Sequence, residues 1–389
     1  MNNYKLRDLL TIHNGKDYRK LASGKIPVYG TGGLMTYVND FLYDGESILL
    51  PRKGTLDNIM YVSSKFWTVD TMYWTVVNSE IVYPKYLYYY LSLLDLSAKN
   101  TGSVLPSMTY DSYYDLDIQL PTLDYQVKVA DYISNIDSKI TNNKDISKQL
   151  ESMAKTIYDY WFLQFEFPDK DGKPYKSNGG KMIWNDQLKQ EIPGGWEVKE
   201  LQDLAKLGNG INYNKNIKGN EKCKIVNVRD ITSSSLLINS HKLTHLSLPK
   251  KSMEKYIIKK TDILIARSGT PGAVRILPST TEKVIFAGFI IHCLPKDSEL
   301  RWYLTFMLKK FEGTNVTTTG GSILKNVSQN SLKSISIILP SSVVLKRFNK
   351  QIIPIIEQLE NILEENQQLK SLRNFLLPML MNGQVSISD

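Results

Sequence analysis

Short apolar runs closed by turn residues fill the first third of the chain, and then the period changes. Ile26-Pro27-Val28-Tyr29 gives way to Gly30-Thr31-Gly32-Gly33, and Ser47–Leu50 gives way to Pro51–Gly54. Phe66–Val77 is rich in β-branched and aromatic residues. Such runs predict strands, and Tyr86–Leu94 predicts a single helix inserted late. Residues 1–122 therefore read as a mixed domain with a β core and long loops. Beyond Pro121, the residues Val129, Ile133, Ile136 and Ile140 take up the spacing of a heptad seam. Ile146, Leu150, Met153, Ile157 and Trp161 extend the stripe, and no proline interrupts it before Pro168. A continuous helix of about forty residues, roughly 60 Å long, is expected over 123–164. Residues 165–195 form a turn-rich connector.

The same order then recurs. A second mixed domain spans 196–340, and 341–389 carry a second long helix and a tail. Phe348, Ile352, Ile355, Leu359, Ile362, Leu369, Leu372 and Leu376 form its stripe. Pro354 is expected to kink it or delay its start, and Pro378 to end it. Asn143 and Asn366 fall within the two seams, where a polar residue fixes register or pairing. The expected architecture is α+β: two mixed β-rich domains separated by two long helices pairing as an antiparallel coiled coil with pseudo-twofold symmetry.

The two mixed domains read as copies of one unit. Ile48-Leu49-Leu50-Pro51-Arg52-Lys53-Gly54-Thr55 returns as Ile263-Leu264-Ile265-Ala266-Arg267-Ser268-Gly269-Thr270, 215 residues later. Leu6-Arg7-Asp8-Leu9 answers to Leu201-Gln202-Asp203-Leu204 at an offset of 195. Gly102–Leu105 answers to Gly321–Leu324, and Asp117–Pro121 to Ser336–Pro340, both at 219. The growing offset predicts an insertion in the second copy around Ile225–Lys259. So long a period excludes a solenoid.

Composition narrows the class. The chain has 389 residues, a formal charge of +9 and two cysteines, with a pI near 9.1. A basic balance of this size favours a polyanionic partner. Cys223 and Cys293 form no CxxC pair, which argues against a disulfide framework or structural zinc and fits a reducing cytoplasm. No apolar run approaches a membrane span, and the start resembles no signal peptide.

Most catalytic signatures are missing. The chain has neither a GxxxxGK[ST] phosphate loop nor a dinucleotide fingerprint, and it has no Pro-Pro pair for an amino-methyltransferase motif. His241 and His245 have zinc-pair spacing but lack an intervening glutamate and an evident third ligand. Pro168-Asp169 with Asp171-Gly172-Lys173 mimics a PD-(D/E)xK nuclease pattern, yet its acids are crowded into one turn. The repeated basic turns are more informative. Arg52, Lys53 and Thr55, and Arg267, Ser268 and Thr270, each follow a strand-like run. Arginine there can read guanine or clamp phosphate, and hydroxyls serve phosphate. Lys16, Arg19 and Lys20 in the first copy, and Lys215, Lys218 and Arg229 in the second, join them as candidate DNA contacts. The loops 99–103 and 317–322 are further candidates to approach a DNA backbone. Tyr86, Tyr88, Tyr89 and Tyr90 can stack bases or pack the inserted helix on the core. Ile133, Ile136, Ile140, Leu150, Ile157, Leu359, Ile362, Leu369 and Leu372 are the candidates for helix pairing or partner docking.

In this order, several segments resemble the specificity (S) subunit of type I restriction-modification systems. Lys25–Gly33 resembles an early segment of the family's target-recognition domains. Leu120-Pro121-Thr122-Leu123-Asp124-Tyr125-Gln126 resembles its Pro-x-Leu-x-x-Gln helix entry. Phe167–Tyr175, Gly179–Trp184 and Ile192–Trp196 are similar to the central connector, and Leu376–Gly383 resembles the C-terminal signature. Ser341–Lys346 departs from the pattern, lacking a glutamine equivalent to Gln126. The resemblance implies a non-catalytic subunit that binds double-stranded DNA at a bipartite, gapped target, one half-site per recognition domain. It also implies two methylation subunits docked largely on the helices, with restriction subunits when present. S-adenosylmethionine, ATP and Mg²⁺ would belong to those partners, and no cofactor to this chain. Two other readings stand beside it: a self-contained fused restriction/methylation enzyme, and a coiled-coil scaffold that binds protein.

Overall fold

The computed structural model describes residues 1–96, 106–213, 219–312 and 327–387. Two compact units emerge, one of Met1–Thr141 with Gln368–Asp389 and the other of Asn142–Gln367. Each unit holds one copy of the mixed domain and a stretch of both long helices.

In the first unit, Asn2–Lys5 pairs antiparallel with Asp117–Leu120, so the two ends of the domain close on one another. A four-stranded sheet follows the order Leu10–Asn14, Met72–Val77, Ser47–Pro51, Met60–Val62. A three-stranded sheet sets Ser23–Gly30 between Gly33–Val38 and Trp67–Thr68; the latter pairing is parallel. Ser47–Pro51 is buried throughout, which is why it reads as an unbroken apolar run rather than an alternating one.

The second unit repeats this plan. Glu197–Glu200 pairs with Ser336–Leu339. The four-stranded sheet runs Ala205–Asn209, Ile290–Pro295, Ile263–Ala266, Val274–Arg275, and the three-stranded sheet sets Glu221–Val226 between Thr244–Leu248 and Val284–Phe286. The copies agree down to single bonds. In the short helix Leu6–Leu9, Asp8 accepts from the Lys5 amide at 2.9 Å, and in Leu201–Leu204 Asp203 accepts from the Glu200 amide at 3.3 Å. These are caps on equivalent first turns. The insertion is visible too. Thr31 and Gly32 join two strands in the first copy, whereas residues 227–243 join their counterparts in the second, with the helix Val228–Thr232 among them.

The first long helix spans Leu123–Tyr158 and continues as a π turn over Asp159–Leu163. The second spans Ser342–Met381 without interruption, so Pro354 does not delay its start and Pro378 does not end it. Pro354 lies on the exposed face, where the carbonyl left without an amide donor can bond water. The helix is capped instead by Gly383, two residues past Met381, which adopts φ +68°. The Gly383 amide donates to Leu380 and the Gln384 amide to Met379 at 2.9 Å, a left-handed cap of the kind glycine favours.

The helices pair antiparallel within each unit. In the first, the Tyr125 hydroxyl donates to the Val385 carbonyl at 2.9 Å and Arg373 bonds Asp137 at 2.8 Å. In the second, Asn143 donates to Asn366 at 3.2 Å and to the Glu365 carboxylate at 2.7 Å. Ile133, Ile136, Ile140, Leu359 and Ile362 are buried in the seam, while Leu150, Ile157 and Leu369 are half-buried. Three stripe positions lie off it: Leu372 is 42% exposed, Ile146 40% and Met153 54%. Arg373 and the buried Ala154 stand where Leu372 and Met153 were expected. The expected steps of three and four slipped by one residue where polar or small side chains occupy the seam.

Candidate nucleic-acid interface

Both basic turns hang from the same backbone frame. After Ser47–Pro51, the Arg52 amide donates to the Thr71 carbonyl at 2.8 Å. After Ile263–Ala266, the Arg267 amide donates to the Phe289 carbonyl at 2.9 Å. Each accepting carbonyl belongs to a tight turn. Met72 closes on Val69 and Ile290 on Ala287, both at 2.9 Å. A neighbouring glycine lies against each turn: a Cβ on Gly15 would stand 2.0 Å from the Val69 carbonyl, and one on Gly210 would stand 2.2 Å from that of Ala287. Only glycine permits that approach.

In the first copy, the Gly54 amide bonds Pro106 at 2.9 Å and the Met108 amide bonds Arg52 at 3.0 Å, holding the turn at both ends. Gly54 takes φ +96°. The Arg52 guanidinium lies 5.8 Å from the Tyr73 ring centroid, and Lys53 and Thr55 are exposed. Beside this turn is a cleft of about 650 Å³ lined by Arg19, Thr31, Met35, Asp70 and Thr71 among others. The Asn58 amide donates to the Thr31 carbonyl at 2.6 Å, tying the basic turn to the cleft wall. Lys16 and Lys20 are exposed on the loop leading into the cleft. Arg19 is already engaged: its Nη2 bonds Asp17 at 2.9 Å. This bonding holds the Asp17 carboxyl at about 2.

In the second copy, Gly269 and Gly272 take φ +76° and +80°, shaping the turn that carries Arg267, Ser268 and Thr270. All three are partly exposed. Among the described residues no hydrogen bond or ion pair engages the Arg267 guanidinium. Arg229 sits on the inserted helix and donates to the Thr244 hydroxyl at 2.8 Å. Lys215, Lys218 and the loops 99–103 and 317–322 lie outside the described residues.

Other candidates resolve differently. Tyr86 and Tyr89 are buried, and the Tyr89 hydroxyl donates to Asp137 at 2.8 Å, so this part of the cluster packs its helix on the core. In the nuclease-like segment, Asp169 accepts from the Asp171 and Lys173 amides at 2.8 and 2.9 Å. Those bonds hold its carboxyl low and make the segment a turn. His241 meets Glu364 at 2.7 Å. No cluster able to hold a metal ion occurs among the described residues. Cys223 and Cys293 are buried and unpaired, and burial pushes both thiols up. No helix among the described residues is long and apolar enough to cross a membrane.

The sequence reading missed the partner turn, Asp70-Thr71 in one copy and Gly288-Phe289 in the other. Its signal was present, because Gly15 and Gly210 repeat at the offset of 195 already seen at Leu6 and Leu201.

Comparison with known proteins agrees with this duplicated plan. The family described as type I restriction modification DNA specificity domain matches residues 1–152 and 193–374. A specificity subunit of the type I restriction enzyme MjaIX from Methanocaldococcus jannaschii is 26% identical, over 90% of this chain and 79% of its own. The HindI specificity subunit from Haemophilus influenzae is 24% identical, over 89% and 86%. The crystal structure of an S subunit from M. genitalium shares the fold with a TM-score of 0.61 at 14% identity, covering 97% of this chain and 95% of that one. Two copies of one frame, two long helices and matches across both halves place the chain in the type I restriction-modification DNA specificity family, as a non-catalytic specificity subunit.

Proposed function

We propose that each copy reads one half of a bipartite, gapped DNA target. Residues 1–122 and 196–340 act as the two recognition domains, and 165–195 as the connector. One observation carries the reading: Arg52 and Arg267 leave equivalent strands and donate through their amides to equivalent turns. Duplication has kept a basic turn on a rigid frame twice. In this reading Arg267 contacts a base or phosphate, and Lys53, Thr55, Ser268, Thr270, Lys16, Lys20 and Arg229 position the backbone. Arg19, held by Asp17, serves less directly. Lys215 and Lys218 belong to the same proposed surface.

The helices dock two methylation subunits. Exposed apolar side chains on the second helix, Phe375 at 64% and Leu372 at 42%, support this by offering surface to bury. S-adenosylmethionine is carried by the methylation subunits, while ATP and Mg²⁺ serve restriction subunits where these join.

The test is to co-express the chain with its methylation subunit in a host without adenine methylation and map modified adenines. A two-part motif with a fixed gap is expected, and exchanging residues 1–122 should change one half only. A silent methylome from a folded, associated complex would refute the reading.

A further inference from the structure

Resting on that reading, we infer that Phe289 contacts an apolar base surface in the second half-site and helps determine its sequence. Phe289 is 63% exposed, more than any other large apolar side chain described in its unit. A lone exposed apolar residue needs no explanation in itself; its position does.

Phe289 stands at the tip of the Ala287–Ile290 turn, and its carbonyl receives the Arg267 amide at 2.9 Å. The turn is held on three sides. Ile290 closes it onto Ala287, and Ala287 bonds Val226 at 3.0 Å. On the third side Gly288 is pressed so closely on Asn212 that a Cβ would lie 1.9 Å from its side-chain oxygen. The ring is thus presented from a rigid support, immediately beside the basic turn.

The first copy holds the same turn with the same bonds, yet carries Asp70 and Thr71 where the second has Gly288 and Phe289. The frame is constant and its tip changes from polar to apolar. A phosphate offers nothing to a phenyl ring. A thymine methyl, or the face of an opened base step, does. The adjacent guanidinium keeps the turn close to the duplex while the ring reads it.

The chain assembled with its methylation subunits is compared with Phe289→Ala and Phe289→Leu assemblies. The probes are a duplex carrying the mapped motif and a scrambled duplex of equal length. Phe289→Ala should weaken motif binding by roughly tenfold or more and leave scrambled binding unchanged. Because no charge is lost, the salt slope should hold. Its methylome should relax at one position of the second half-site, and Phe289→Leu should retain most of the preference. Unaltered motif binding, or equal loss on both duplexes at unchanged melting temperature, would overturn the inference. A wild-type assembly that fails to prefer its own motif would instead remove the reading beneath it.

Discussion

Asn143 and Asn366 meet in the seam of the second unit, 1% and 7% exposed. The Asn143 amide makes two bonds there, one to the Asn366 oxygen at 3.2 Å and one to the Glu365 carboxylate at 2.7 Å. Replacing Asn143 with Leu removes a charge-assisted bond of about 1.5–3 kcal/mol and leaves the buried Asn366 oxygen without that donor, costing about 1–3 more. A well-packed leucine recovers about 2 kcal/mol of this. The single variant should therefore lose about 2 kcal/mol, or roughly 4–8 °C of melting temperature in a unit of this size. Asn143→Leu/Asn366→Leu replaces both partners by apolar groups. It should return to within about 1 kcal/mol of the parent, at the cost of a device that fixes register. Calorimetry on the four proteins of the cycle gives the coupling directly. A harmless single variant, or a double variant worse than the sum of its singles, would refute the argument that the pair is a matched polar contact.

Three further outcomes are expected. Arg267→Ala should cost roughly 1–3 kcal/mol of binding and relax one position of the second half-site if the guanidinium reads a base, whereas Lys53→Ala should weaken all sequences alike and lower the salt slope by about one; titrations at several salt concentrations separate the two. Gly269→Ala should destabilise the second unit by about 1 kcal/mol or more, since φ is +76° and the new Cβ would lie 2.8 Å from the Val228 side chain. Burial alone would raise the Glu312 carboxyl, but bonds and charge from Arg275 and Lys309 outweigh it and hold the carboxyl low; that contribution is complete above the ordinary carboxylate value of about 4.3 and fades as pH falls below it, so between about pH 6 and 3 the parent should lose more melting temperature than Glu312→Gln.

Much of this architecture could be read from the chain because its signals were periodic and repeated. The heptad steps of Val129 to Ile140 describe a helix face whatever surrounds it, and the doubled strand–turn segment at Ile48 and Ile263 announced the second copy. Local rules failed where tertiary context decides. Pro354 was expected to kink the helix or delay its start, but the helix already begins at Ser342 and the proline lies on its exposed face, where water can bond the carbonyl left without a donor. Leu372 was read as seam because it is apolar, yet Arg373 occupies that level through its bond to Asp137. Neither substitution is visible without the partner helix. For the candidate interface, the basic turns were visible as motifs, while the turn that supports each lies some twenty residues away and shares no residue type between copies.

If each copy reads one half-site, as proposed, that last difference explains how one fold can serve two recognition tasks. The elements that set the frame are buried or sterically confined: Leu50 and Ile265 are 0% and 1% exposed, and Gly15 and Gly210 admit no side chain. Changing any of them disturbs packing that supports the whole unit. The tip residues Asp70, Thr71 and Phe289 bear little of that load, so they can vary at small cost to stability. Stability therefore constrains the support and leaves the reading surface free. On this argument, Phe289→Thr, which leaves the confined Gly288 in place, should leave the melting temperature nearly intact while changing the second half-site, and a large loss of stability would show that the tip is part of the frame.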